Sequence, residues 1–284
     1  MSTRLVGWLL AFALTASAAP LRIISTAPSA TELLFALGLG SRVVGVTTFC
    51  HYPAEAQKLP KVGTYLQFNL ETIASLKPDL VVVLQNPTRI AAQVRALHIQ
   101  VIELGHETVP EILKSILQLG DAAGAKTAAA KLESSMRARL DEIRARTAKL
   151  PRRTMMFIVG RDPGALSGMV AVGKGSYLNE MIELAGGVNV FREAPAAYPK
   201  VGLEEIIARN PDVIVDMGDM AETVGVTEEH KRSVAQLWRR AATVSAVNGN
   251  RVFAVASDIY VVPGPRMVDA AVAFARMLHP EAGL

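Results

Sequence analysis

The chain has one cysteine, Cys50, so no intrachain disulfide can form and no thiol pair is available for redox chemistry. It has no run of five or more like charges. The formal charge of +4, from 30 basic against 26 acidic residues, therefore makes no patch for nucleic acid or an anionic membrane. His51, His98, His106, His230 and His279 lack ligand spacing such as two histidines four apart, which argues against a bound bare metal ion. No Gly-x-Ser-x-Gly elbow, Cys-x-x-Cys pair or His-Glu-x-x-His motif occurs. The nearest approach to a catalytic signature is 168–174, which nearly spells a phosphate loop. Its four central residues are all apolar, and Gly175 stands where a magnesium-binding loop needs Ser or Thr. An enzyme has little here to stand on.

What is present begins with residues 1–19. Arg4 is their only charge, residues 5–14 are apolar, and Ala16-Ser17-Ala18 offers small side chains to signal peptidase. The apolar stretch is well short of the roughly 20 residues that span a bilayer, so 1–18 is expected to be a cleavable secretory signal. Cys50 lies far beyond the cleavage region and cannot carry a lipid anchor there. The mature chain is expected as a soluble monomer in a Gram-negative periplasm.

Half of the 284 residues are hydrophobic, more than one small core needs, and two lobes follow. Strand candidates at 22–25, 43–47, 80–84 and 101–104 are separated by longer, often helix-like segments. A second series runs through 154–159, 213–216 and 251–256. That order predicts α/β with largely parallel sheets. Between the two series, 121–150 contains no proline and spaces Ala125, Ala129, Leu132, Met136, Leu140 and Ile143 by three or four, one helical stripe. The expected division is a lobe over 19–120, a linking helix over 121–150 and a lobe over 151–284. No glycine-serine hinge joins them, so any closure should be small.

The lobes also share an internal repeat. Leu70-Glu71-Thr72-Ile73 followed by Pro78-Asp79-Leu80-Val81-Val82 recurs 133 positions later as Leu203-Glu204-Glu205-Ile206 followed by Pro211-Asp212-Val213-Ile214-Val215. Each copy reads as a short helix, a proline stop and a buried strand. Upstream, Pro60-Lys61-Val62-Gly63 is echoed by Pro199-Lys200-Val201-Gly202.

Further motifs occur in a distinctive order: Ser25-Thr26-Ala27-Pro28-Ser29-Ala30-Thr31-Glu32-Leu33, Val44-Gly45-Val46-Thr47, Tyr52-Pro53, Asn69-Leu70-Glu71, Ala185-Gly186-Gly187 and Gly264-Pro265-Arg266. With the repeated blocks they make the chain resemble the periplasmic binding proteins whose lobes are joined by one backbone helix, which serve importers of cobalamin, haem and ferric siderophores. The resemblance spans essentially the whole mature chain and is greatest to the cobalamin-binding branch. It implies two Rossmann-like lobes joined by one long rigid helix. It also implies an inner-membrane ABC permease dimer with its ATPase as partner, a small-molecule metal chelate as cargo, and no resident cofactor. A corrinoid is the favoured cargo and a ferric siderophore or haem the alternative; a stand-alone periplasmic scavenger or an enzyme on the same fold is the rival of another class.

Carried over residue by residue, the resemblance places Tyr65 and Phe49 as aromatics against a macrocycle and Asp258 as a polar contact from the second lobe, with Pro28 and Tyr260 grouped among the lining residues. The sequence departs from that branch at Leu84 and Val170, where aromatics can stand, and at Val262, where an arginine is often found. Tyr65 and Tyr198 lie beside corresponding points of the repeat and either face each other across the cleft or sit as half-buried loop tyrosines. Arg161 and Arg266 suit the carboxylates or phosphate of an anionic chelate, while Arg266 could equally cap local structure. Glu71 and Glu204 open equivalent helices, where a carboxylate complements the helix dipole in any case. The resemblance gives them a second role, docking to two equivalent arginine sites on the permease.

Overall fold

The computed structural model describes residues 22–64, 67–85, 89–218 and 227–284. The expected signal segment 1–18 and Tyr65 lie outside these residues. The first lobe runs β1 (Ile23–Ser25), α1 (Pro28–Ala36), β2 (Val43–Gly45), α2 (Leu70–Ser75), β3 (Leu80–Leu84), α3 (Ile90–Arg95), β4 (Gln100–Leu104) and α4 (Val109–Ala122). Helix α5 (Lys126–Thr147) leads to the second lobe. That lobe comprises β5 (Arg153–Gly160), β6 (Val170–Ala171), α6 (Tyr177–Leu184), β7 (Gly187–Asn189), α7 (Leu203–Arg209), β8 (Val213–Asp216), α8 (Glu228–Trp238), α9 (Ser245–Asn248), β9 (Val252–Ala254) and α10 (Met267–Leu278).

The first sheet is parallel throughout, in the order β2-β1-β3-β4. In the second, β5 pairs with β8 and β8 with β9, all parallel, while the other edge of β5 takes β7 in parallel and β6 antiparallel. Setting aside β6, the order β7-β5-β8-β9 repeats that of the first lobe. Strand β3 is buried along its whole length, as a continuous Leu-Val-Val-Val-Leu run in a two-sided parallel sheet must be.

The sequence repeat is a structural repeat in detail. The Asp79 side chain accepts the Arg22 backbone N–H at 2.9 Å, and Asp212 accepts that of Thr154 at 2.8 Å, so each aspartate ties its strand to the first strand of its lobe. Lys77 and Asn210, just before the paired prolines, both take left-handed backbone angles, φ 47° and 44°. The prolines end the helices as expected.

The linking helix is shorter than 121–150. Asp121 and Ala122 belong to α4, and the chain breaks at Gly124, whose φ of 69° is the left-handed conformation that glycine supplies after a helix C-terminus. The remaining 22 residues of α5 extend about 33 Å. Their buried face holds Ala129, Met136, Leu140 and Ile143, four of the predicted stripe, and the Glu133–Arg137 pair spans one turn of the outer face.

Both lobes share one apolar core. It runs from Ile23 and Leu34 through the faces of α4 and α5 to Leu178, Phe274 and Leu278. Glu180 on α6 crosses between lobes to accept the Val109 N–H at the start of α4, at 2.8 Å. A shared core with a polar tie across it makes α5 part of a stiff body, not a tether.

Candidate functional site: the cleft between the lobes

In parallel α/β lobes, ligands bind beyond the carboxyl ends of the strands. Here those ends face a cleft of about 670 Å³. From the first lobe come Ala27, Pro28 and Ser29 after β1, Leu84 at the end of β3, His106 and Glu107 after β4, and Phe49 and His51 from the loop beyond β2. From the second come Gly175, Ser176 and Tyr177 at the start of α6, Ala197 and Tyr198 before α7, and Asp258 with Val261, Val262 and Pro263 after β9. Phe49 and Tyr198 are about half exposed, 55% and 47%, and offer ring surface to the cleft. Ser176 Oγ donates to Tyr198 Oη at 3.1 Å and accepts the Leu178 N–H, so it orients the aromatic and caps α6 together.

Among the described lining residues there is no lysine or arginine, while Glu107 and Asp258 bring carboxylates. The charged form of the His106 imidazole is disfavoured. Burial pushes its pKa below the ordinary histidine value, against the opposing pull of Glu107, Glu111 and the Leu104 carbonyl. Two polar atoms set in the wall, Ser29 Oγ and His106 Nδ1, are buried with no hydrogen-bond partner among the described residues, an unusual state in a folded interior.

Of the residues expected at the site, Phe49, Pro28, Tyr198 and Asp258 line the cleft together. Three others do not reach it. Tyr260 is buried and packs edge-on to Phe157, at 6.1 Å between ring centroids, and against Phe274, because the short turn carrying Asp258 points its neighbour two residues on into the core. Arg161 faces a separate depression with His230 and Arg240, and its Nε is held by both oxygens of the fully buried Asp216 at 3.1 and 2.9 Å. Trp238 Nε1 and the Gly218 N–H complete that carboxylate's shell at 2.7 Å each, so this arginine is committed inside its own lobe. Arg266 is committed as well, to Glu32 and Asp258. The expectation of arginines waiting for an anion is thereby corrected. The near phosphate loop is no loop either, since Val170 and Ala171 at its centre form β6.

His106, Glu107, Ser29 and Tyr177 were not anticipated. A usable signal existed for the first two, because they follow directly on a predicted strand of a parallel sheet. Glu71 and Glu204 are both exposed at the starts of α2 and α7, with no ion pair among the described residues.

Two half-repeated α/β lobes on a stiff helical spine, with an aromatic-lipped cleft at their strand ends, have the architecture of a solute-binding protein. The chain belongs to the periplasmic binding protein family, whose pattern matches residues 23–259. It is 31% identical over 252 residues to the vitamin B12-binding protein of Vibrio cholerae serotype O1, covering 88% of this chain and 86% of that one. It is 32% identical over 270 residues to an uncharacterized ABC transporter substrate-binding lipoprotein of Bacillus subtilis, covering 92% and 81%. The crystal structure of the periplasmic vitamin B12 binding protein BtuF of Vibrio cholerae superposes with a TM-score of 0.78 at 29% identity, over 93% of this chain and 98% of that one. A periplasmic haem-binding protein from Roseiflexus shares the fold, with a TM-score of 0.76 at 24% identity. No described helix is long and apolar enough to cross a membrane.

Proposed function

We propose that the protein captures a corrinoid in the cleft and delivers it to an ABC permease dimer in the inner membrane. The observation that carries the ligand class is the charge of the wall: aromatic and apolar surface, two carboxylates, and neither lysine nor arginine among the described lining residues. Haem brings two propionates and catecholate siderophores bring a high negative charge, and both need cations that this wall does not offer. A corrinoid brings a flat face for Phe49 and Tyr198 and a rim of uncharged amides whose N–H groups suit Glu107 and Asp258. Similarity to vitamin B12-binding proteins supports the same choice. Tyr65 belongs to the proposal as a further aromatic contact.

Docking falls to Glu71 and Glu204, two exposed acids at equivalent points of a pseudo-symmetric body, which suit a partner built of two like subunits. A stand-alone scavenger gains nothing from such a matched pair. Calorimetry with cyanocobalamin, haem and a ferric siderophore panel tests the ligand: tight binding is expected for cyanocobalamin and weak binding for the anionic chelates. Tight siderophore binding beside silence from cyanocobalamin would reverse the assignment.

A further inference from the structure

The second-lobe wall of the cleft is fixed by side chains that run out of the cleft and into the other lobe. Asp258 receives both terminal nitrogens of Arg266, Nη1 on Oδ1 at 3.1 Å and Nη2 on Oδ2 at 2.9 Å. The same guanidinium donates Nε to Glu32 Oε2 at 3.0 Å and Nη2 to Glu32 Oε1. Glu32 lies on α1 in the first lobe, 234 positions away, with its carboxylate 2% exposed. The Tyr52 ring, also from the first lobe, lies against the guanidinium plane at 3.8 Å. Gly264 leaves room for this meeting, since a Cβ there would stand 2.9 Å from Glu32 Oε2.

Only arginine can make this arrangement. Its planar fork reaches two carboxylates edge-on while its face stacks on a ring, whereas a lysine ammonium is a point charge without plane or fork. Burial opposes the charge on Arg266, yet the hydrogen bonds and charge attraction of Glu32 and Asp258 together outweigh burial and raise its pKa. Asp258 is thereby prevented from turning away, and its remaining lone pairs are left for the cleft.

Resting on the corrinoid reading, we propose that Arg266 is the positioning residue of the cleft: it presents Asp258 as a fixed acceptor for a ligand amide N–H and clasps the two lobes at one opening.

A double-mutant cycle read by calorimetry with cyanocobalamin tests the first half. Arg266→Gln and Asp258→Asn should each weaken binding about tenfold, and the double change should be little worse, because one residue acts through the other. A roughly hundredfold loss in the double variant, as independent sites give, or an Arg266→Gln protein that binds like the parent, would overturn it. Since Arg266→Gln leaves Glu32 buried and unpaired, the Glu32→Gln, Arg266→Gln pair serves as a second, better-folding variant and should match the single change in affinity.

The clasp is tested without ligand. Spin labels at Ser75→Cys on α2 and Ala208→Cys on α7, both exposed while Cys50 is buried, report the spacing of the lobes by pulsed electron resonance. One narrow distance distribution is expected, broadened by Glu32→Gln, Arg266→Gln; an unchanged distribution would overturn the clasp. If wild-type protein ignores cyanocobalamin, the corrinoid reading and the acceptor role fall together, and the spacing measurement still decides the clasp.

Discussion

At Val83, one residue before its end, the central strand of the first lobe lies among hydrocarbon, clustered with Ile24, Val62 and Ile73. The repeat places Asp216 at the corresponding point of the second lobe, equally buried but gripped by Arg161, Trp238 and the Gly218 N–H. The strand order and the aspartate ties are common to both lobes, so the frame does not depend on what fills this position. The difference shows how a duplicated frame distributes charge: the first lobe keeps its strand end apolar, and the second uses its acid and its arginine against each other.

The largest effect separating the lobes should come from that pair of positions. Asp216→Ala strands a buried guanidinium and should cost about 3–5 kcal/mol, while Val83→Ala should cost about 2 kcal/mol, mostly lost burial and a small cavity. Urea unfolding of the two variants measures both, and equal costs would refute the contrast. Next comes a change in which the lobes should behave alike. Glu71→Ala with Glu204→Ala should lower ATPase stimulation of the reconstituted transporter about tenfold or more, worse than either change alone, with ligand affinity and melting temperature unaltered. Full stimulation by the double variant would end the docking assignment, and loss from one glutamate alone would break the equivalence of the lobes.

The smallest effect concerns His106, the part-buried one of the first lobe's two cleft imidazoles. The folded-state pKa of His106 is depressed by burial below the ordinary value of 6.5, so at acid pH the unfolded chain binds a proton that the folded chain resists. Its share of stability is full above about 6.5 and is lost as pH falls below that value. His106→Gln should flatten part of the acid limb of a stability-versus-pH curve, and an unaltered limb would contradict the depressed pKa.

Much of the frame was legible because it obeys local rules. Alternating strands and helices, proline stops and the repeated Pro-Asp-strand blocks located both sheets and their equivalence. Strands β6 and β7 were missed: two and three residues long, they are made by pairing to the long β5 and carry no periodicity of their own. The break before α5 was missed because Gly124 sits in an alanine-rich stretch whose apolar spacing runs through it. At the site, the aromatic Phe49 and the turn-borne Asp258 were legible through the resemblance. The arginines were not, since a sequence shows that Arg161 and Arg266 carry charge and does not show that Asp216 and Glu32, 55 and 234 positions away, already hold it.

The shared core that fuses both lobes to α5 has a consequence for traffic. If the protein delivers to a transporter as proposed, a body of this kind should present nearly the same outline empty or full, and a vacant copy is then expected to occupy the transporter's entrance as readily as a laden one. Delivery then depends on the ratio of cargo to protein, and producing more of the protein than there is cargo to fill it should slow uptake by crowding the entrance with empty copies.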